Sequence, residues 1–385
     1  MYCDKIKFGM NTTGSLNIPT KDFAIDLNNC RVHIGYNSGN LLINEYFKKN
    51  ILFEEVLDIN DADKVVLICA NMLRPNVYKE WKFKLTPEFI KKMNKQLVVL
   101  GVGAQATFDE MKPKEYVKNL EPELIKYMRV LSDYSESIGV RGEFTADVLK
   151  ELGIKNVSVV GCPTWFVNGF NQPNVIKKEF SKNLKPACYT CWESYSPWHR
   201  AWNNAIVTQA LKFNDPKFVI QSEFQIMNYM LFWQNYLNLL NPLKYKKLIS
   251  SANYIKETFG ISKKELIFSK DLHNIFEFFV NIPEWENFIK SRDLTFGMRI
   301  HGSIVALKQG VPAIAIVPDS RILEMCQLFK IPFIKVDQMQ SSDFNIERLY
   351  NDANYDDMNK AYLQLLNEYI AFLDKNGLQH KLIKQ

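Results

Sequence analysis

Nowhere in its 385 residues does this chain carry an apolar run able to cross a bilayer. The nearest approach, residues 226–240, is interrupted by Asn228, Gln234, Asn235 and Asn238. The opening residues, MYCDKIKFGM, are charged and lack the apolar core of a secretory signal. A formal charge of +6 is spread along the chain, without the Lys/Arg block that marks a nucleic-acid arm. Seven cysteines, odd in number and scattered, suit reduced thiols better than a disulfide framework. Cys188-Tyr-Thr-Cys191 has C-x-x-C spacing, but no second such pair and no paired histidines accompany it. No acidic pair with metal spacing stands near the motifs below, and low-complexity tracts are missing. These absences predict a cytoplasmic protein with no nucleic-acid partner, no transmembrane segment, no metal and no resident cofactor. Peripheral association with a membrane is left open.

What is present is apolar residue in quantity, 47% of the chain, enough for more than one core. Length predicts two domains. Strand-like and helix-like stretches alternate through most of the sequence, which calls for parallel sheets. The expected fold is α/β, with two Rossmann-like domains facing across a cleft. The expected divisions are 1–170, 187–340 and a helical segment 341–385 packing back on the first domain. The Asn-, Lys- and Pro-rich stretch 167–186 connects the two halves. Within the second half, 266–268 reads as a strand, followed by helices through Lys290.

The chain is organised around residues 294–318, LTFGMRIHGSIVALKQGVPAIAIVP. A strand over 294–298 leads to Arg299 and His301. Ile304, Val305, Ala306 and Leu307 then give a helix its apolar face. Gly310-Val-Pro312 breaks that helix, and Ala313–Val317 is a second strand. A β–α–β unit places Arg299 and His301 at the carboxyl end of a strand, the edge where open α/β sheets bind ligands. Gly302 and Ser303 follow at the helix N-terminus, whose N–H groups and dipole favour an anion. Guanidinium and imidazole add paired donors and a titratable proton. The blander alternative makes Arg299 a surface ion-pair partner and His301 a helix cap.

Ile138-Gly-Val-Arg141, with the helix after it and Gly153, echoes this unit. Two strand-top arginines can approach one anion from opposite sides if the units face each other. Asn37-Ser-Gly39-Asn40 is a strand-to-helix turn, with Asn40 a candidate cap. Gly101-Val-Gly-Ala-Gln105 ends another strand in small residues that permit close approach of a ligand. The polar-aromatic loop 192–200, which includes Trp198 and His199, suits a sugar face.

Together these pieces make the sequence resemble the polysaccharide pyruvyltransferase family over residues 32–334. The resemblance is carried by Gly139-Val-Arg141, Leu152-Gly-Ile154 and Val159-Val-Gly161-x-Pro163. It continues through Met298-Arg-Ile-His301 and Ala306-Leu-x-x-Gly310-Val-Pro312. It implies a fold like that of GT-B glycosyltransferases with the site between the domains. The implied activity moves a pyruvyl group from phosphoenolpyruvate to two hydroxyls of one sugar, giving a cyclic ketal in bacterial surface polysaccharide synthesis. Arg141, Arg299 and His301, with Gly302 and Ser303, are then the donor site, and His301 is the proton-transfer group. Asn37, Gly39, Asn40, Gln105, Trp198 and His199 are candidates for the saccharide acceptor, whether lipid-linked, nucleotide-linked or a polymer. The family often has Asp where this chain has Asn40 and Cys162, a departure that bears on acceptor activation. The alternative reading is a GT-B-type glycosyltransferase using a nucleotide sugar.

Overall fold

The structure is a computed structural model that describes residues 4–8, 37–81, 83, 85–191, 197–233, 242–259 and 274–383. Twelve strands among these residues form two six-stranded sheets, and all neighbouring strands are parallel. The first sheet holds β1 (Asp4–Phe8), β2 (Phe53–Glu55), β3 (Lys64–Ile68), β4 (Gln96–Val102), β5 (Ser135–Val140) and β6 (Val157–Val159), in the order β2-β1-β3-β4-β5-β6. The second holds β7 (Pro186–Tyr189), β8 (Lys217–Ile220), β9 (Phe276–Phe278), β10 (Leu294–Gly297), β11 (Ala313–Val317) and β12 (Phe333–Lys335), in the order β12-β11-β10-β7-β8-β9. This is the expected α/β architecture of two Rossmann-like sheets. Central strands such as Leu-Val-Val-Leu in β4 and Ala-Ile-Ala-Ile-Val in β11 are buried along their length. Strands covered by helices on both faces have no solvent side, so they read as unbroken apolar runs.

In the second sheet the chain runs outward through β7, β8 and β9, then returns to the other flank of β7 for β10, β11 and β12. That reversal sets β7 and β10 side by side, and a crevice opens beyond their carboxyl ends. Arg299 lies two residues beyond the end of β10, and Thr190 directly follows β7.

Helix boundaries follow local signals. Thr86 caps Pro87–Met93 by accepting from the Phe89 amide, and Asn94 closes that helix in the left-handed region. The aromatic excursion is two helices, Phe224–Trp233 and Pro242–Phe259. β9 corrects the expectation of helix after residue 270: Phe276-Glu-Phe278 is a strand, its two phenylalanines buried. The strand expected at 266–268 lies outside the described residues.

The C-terminal stretch is two helices, Ile346–Asp352 and Asp356–Lys375. The second lies against the first sheet. Phe372 packs on Gly139 of β5, and Asn376 Oδ1 accepts from the Ser137 amide at 3.3 Å. The tail then joins the Gly39–Asn50 helix, with Lys381 N donating to Asn50 O at 2.7 Å.

Candidate active site

The carboxyl ends of both sheets meet at one seam. Arg299 reaches it from β10. Its Nε donates to Thr190 O at 3.1 Å, and Nη2 donates to Ser222 Oγ at 2.5 Å and Glu223 Oε1 at 2.7 Å. The Glu223 side chain is 1% exposed and that of Arg299 10%. The other carboxylate oxygen of Glu223 accepts from the amides of Gln221 and Ser222 at 2.8 and 2.9 Å. A buried carboxylate with all its bonds made holds the guanidinium in one orientation.

Arg141 enters from β5. Its amide donates to Val102 O and its Nε to Gly101 O at 3.0 Å. Gly103 makes room for it, because a Cβ there would sit 2.9 Å from Arg141 Cδ. Arg141 is 3% exposed, yet its Nη2 has no hydrogen-bond partner among the described residues. Burial lowers its pKa, but a guanidinium stays charged. A buried cation with an unused donor is costly unless an anion completes it.

His301 lies between the two arginines, in the first turn of the Ile300–Lys308 helix. Burial pushes its pKa down to about 3, and the charges of Arg141 and Arg299 push the same way. The ring is therefore neutral at pH 7. Its Nε2 is 3.7 Å from Cys162 Sγ, which also receives the Thr164 hydroxyl at 3.0 Å. Its Nδ1 faces Gly39, where an added Cβ would meet Nδ1 at 2.9 Å, Asn37 Oδ1 at 3.0 Å and Gln221 Oε1 at 3.1 Å. Only glycine fits among these three groups without displacing one.

Asn37 does the work expected of Asn40. Its Oδ1 accepts from the Gly39 amide at 2.8 Å, whereas Asn40 sits one residue inside the helix, past Ser38. Gly302 and Ser303 both turn their amides to Arg299 O, at 3.0 and 3.3 Å. Gly302 instead matters through packing, because a Cβ would fall 2.4–2.6 Å from the Tyr189 ring. Gln105 is bonded through its main chain to Leu73 and to the Tyr116 hydroxyl. Its neighbour Ala106 meets the second sheet, donating to Ser320 Oγ at 2.9 Å. His199, in the helix Pro197–Ala210, lies beside Asp319 and Arg321; burial pushes its pKa down to about 4. Trp198 belongs to the same helix, and its side chain lies outside the described residues.

Sequence reasoning missed Glu223, Gln221, Ser38 and Arg321. Arg321 Nε donates to Asp319 Oδ2 at 2.9 Å, and its charge is felt at Arg141 and His199. Nearby, Glu324 crosses the seam, accepting from the Thr145 amide and hydroxyl at 2.6 and 2.7 Å. Burial pushes its pKa up to about 7, against those bonds. Ser38 Oγ and Gln221 Nε2, like Arg141 Nη2, are buried and without partner among the described residues. Ser38 N donates to Gln221 O at 3.0 Å, so these groups share the floor beneath His301. Amide N–H, hydroxyl and guanidinium groups lacking acceptors call for an oxygen-rich anion. Among the described residues no cluster of three His, Cys, Asp or Glu could hold a metal ion, and no helix is long and apolar enough to cross a membrane.

No curated protein matches the chain. Among solved structures, a putative UDP-N-acetylglucosamine 2-epimerase from Listeria monocytogenes is 13% identical, with a TM-score of 0.43 over 97% of this chain and 98% of that one. MnaA of S. aureus, solved with UDP, is 10% identical, with a TM-score of 0.44 over 99% and 98%. Anabaena HepE, in complex with UDP-glucose, is 12% identical, with a TM-score of 0.40 over 97% and 95%. The polysaccharide pyruvyl transferase family matches residues 17–320, a span that contains Arg141, Cys162, Glu223, Arg299 and His301, and the chain belongs to that family.

Proposed function

We propose that this transferase takes its pyruvyl group from phosphoenolpyruvate and places it on two hydroxyls of one saccharide as a cyclic ketal. The observation that carries this reading is the set of buried donors without acceptors, Arg141 Nη2, Gln221 Nε2 and Ser38 Oγ, gathered at His301. Phosphoenolpyruvate brings two oxyanions on adjacent carbons, a carboxylate at C1 and a phosphate on the oxygen of C2. Two guanidiniums fixed by Gly101, Thr190 and Glu223 suit two such groups.

The chemistry balances as follows. One sugar hydroxyl adds its oxygen to C2 while C3 takes a proton from the protonated His301 ring and becomes a methyl, and the hydroxyl's own proton returns to the ring. The second hydroxyl then forms its bond to C2 as the phosphate leaves, and the second proton goes out with the phosphate. His301 is the group for the C3 proton. It is neutral at pH 7, held down first by burial, and an anion arriving between Arg141 and Arg299 offsets the further depression by their two charges. Donor binding therefore takes up a proton at the ring, which the addition step then spends.

The test is phosphate release from phosphoenolpyruvate across a panel of saccharides, with thermal shifts for phosphoenolpyruvate, inorganic phosphate and UDP. We expect stabilisation by phosphoenolpyruvate and acceptor-dependent phosphate release. Stabilisation by UDP with no response to phosphoenolpyruvate would overturn the reading in favour of a nucleotide-sugar glycosyltransferase.

A further inference from the structure

We infer that Cys162 positions the His301 ring by holding Nε2, so that Nδ1 carries the proton of the neutral ring and is the nitrogen that works on the substrate. Cys162 follows β6, in the turn Gly161-Cys-Pro-Thr164, and its side chain is fully buried. The Thr164 hydroxyl donates to Sγ at 3.0 Å. With its acceptor side engaged, the thiol's own hydrogen is left to turn toward His301 Nε2, 3.7 Å away. A ring nitrogen that receives a hydrogen cannot carry one, so the neutral imidazole is driven to the Nδ1–H form.

The other side of the ring agrees. Nδ1 faces the space over Gly39, where Asn37 Oδ1 is fixed as an acceptor by the Gly39 amide. An N–H, not a lone pair, suits that oxygen. The same floor holds Gln221 Nε2 and Ser38 Oγ, buried and without partner among the described residues, so it is also the side that offers donors to a ligand.

A thiol has a property here that a fixed donor lacks. When a proton arrives on Nε2, sulfur can become the acceptor without either side chain moving, because it serves weakly in both roles. The imidazolium then points Nδ1–H at the substrate, while Nε2–H stays hydrogen-bonded to Cys162 Sγ. Among the described residues, the charged and titratable groups facing this pair are Arg141 after β5, Arg299 after β10, and Tyr369 from the C-terminal helix, whose buried hydroxyl has no partner there. None of them is a carboxylate. Placing one at Cys162 should therefore reverse the ring.

The experiment is nitrogen-15 NMR of histidine-labelled full-length protein, with the His301 signals assigned by their loss in His301→Gln. Five histidines keep the spectrum tractable. We expect the Nδ1–H tautomer at pH 7 in the parent and in Cys162→Ser, which keeps a donor at Sγ's place. In Cys162→Asp the ring should flip to Nε2–H and its pKa should rise by roughly 1–3 units, as for an ion pair of this kind. Cys162→Ala should lose the preference and serves if the aspartate variant does not fold. An Nε2–H ring in the parent, or an unchanged ring in Cys162→Asp and Cys162→Ala alike, would overturn the assignment. In turnover, Cys162→Asp should move the pH profile, whereas a packing role would lower the rate equally at every pH. The working role of Nδ1 rests on the proposed reaction, but the tautomer does not. Failure of phosphoenolpyruvate turnover with an Nδ1–H ring would indict the reaction alone.

Discussion

Replacing Glu223 by Gln asks one buried group to give up what only a carboxylate supplies. Glu223 accepts from the Gln221 amide, the Ser222 amide and Arg299 Nη2. A glutamine offers one oxygen in place of two. If that oxygen keeps the two amides, the new NH2 abuts the guanidinium; if it turns to Arg299, two buried amides face an NH2. Either way donors meet donors in a site where the carboxylate was 1% exposed. Breaking a buried pair from one side costs about 3–5 kcal/mol, most of it the burden of the orphaned charge. For a domain of this size each kcal/mol lowers Tm by about 2–4 °C, so a drop of roughly 6–20 °C is expected by calorimetry. The matched control is Glu115→Gln, which removes the exposed Lys118 pair and should leave the melt unchanged. Phosphoenolpyruvate should restore more of the melt in Glu223→Gln than it adds to the parent, because its oxygens take over the abandoned guanidinium. A Glu223→Gln melt within about 1 °C of the parent would refute the claim that this carboxylate fixes Arg299.

Gly302→Ala puts a methyl 2.4–2.6 Å from the Tyr189 ring carbons. Ordinary contact is about 3.5–4.0 Å, so the helix carrying His301 must shift by about 1 Å. We expect a stability loss of about 1–3 kcal/mol by denaturant titration and a fall in kcat of about a hundredfold. The pH dependence follows from the two histidines, held at about 3 and about 4. In the unfolded chain they protonate near 6.5, so that state binds more protons below this pH and stability falls as the pH drops from about 6.5 toward 3. Glu324, raised to about 7, opposes this, since the folded chain binds its proton first and gains stability from pH 7 down to about 4.3. Urea midpoints across pH should show a shallower acid loss in His301→Gln and a steeper one in Glu324→Gln; unchanged slopes would count against both assignments.

Much of this arrangement can be read locally. The unit from Leu294 to Val317 declares itself because each element is short, apolar and bounded by its own glycine or proline. Arg141, Arg299 and His301 stand out because a polar residue directly after a buried parallel strand has few places to be except the ligand edge. Glu223 is hidden because Gln221-Ser-Glu223 looks like any strand-ending loop. Its partner lies 76 residues on, and they meet only because the sheet reverses and places β8 beside β7, next to β10. Gln221 and Ser38 are likewise joined by the meeting of the two sheets. Arg321 reads as an ordinary helix start until the seam brings it to Arg141 and His199. β9 escapes notice because three residues, Phe-Glu-Phe, hold too little pattern to separate strand from helix. Asn40 misleads because Asn37 offers the same side chain at the correct position, three residues earlier.

The most direct test of the central claim is calorimetric titration of phosphoenolpyruvate into the protein without acceptor, for the parent and for Arg141→Ala, in buffers of different ionisation heat. The parent should bind phosphoenolpyruvate more tightly than pyruvate or inorganic phosphate, with proton uptake on binding. Arg141→Ala should weaken it by about 2–5 kcal/mol, thirtyfold or more. Binding that is absent in the parent, or undiminished when Arg141 is gone, would contradict the account.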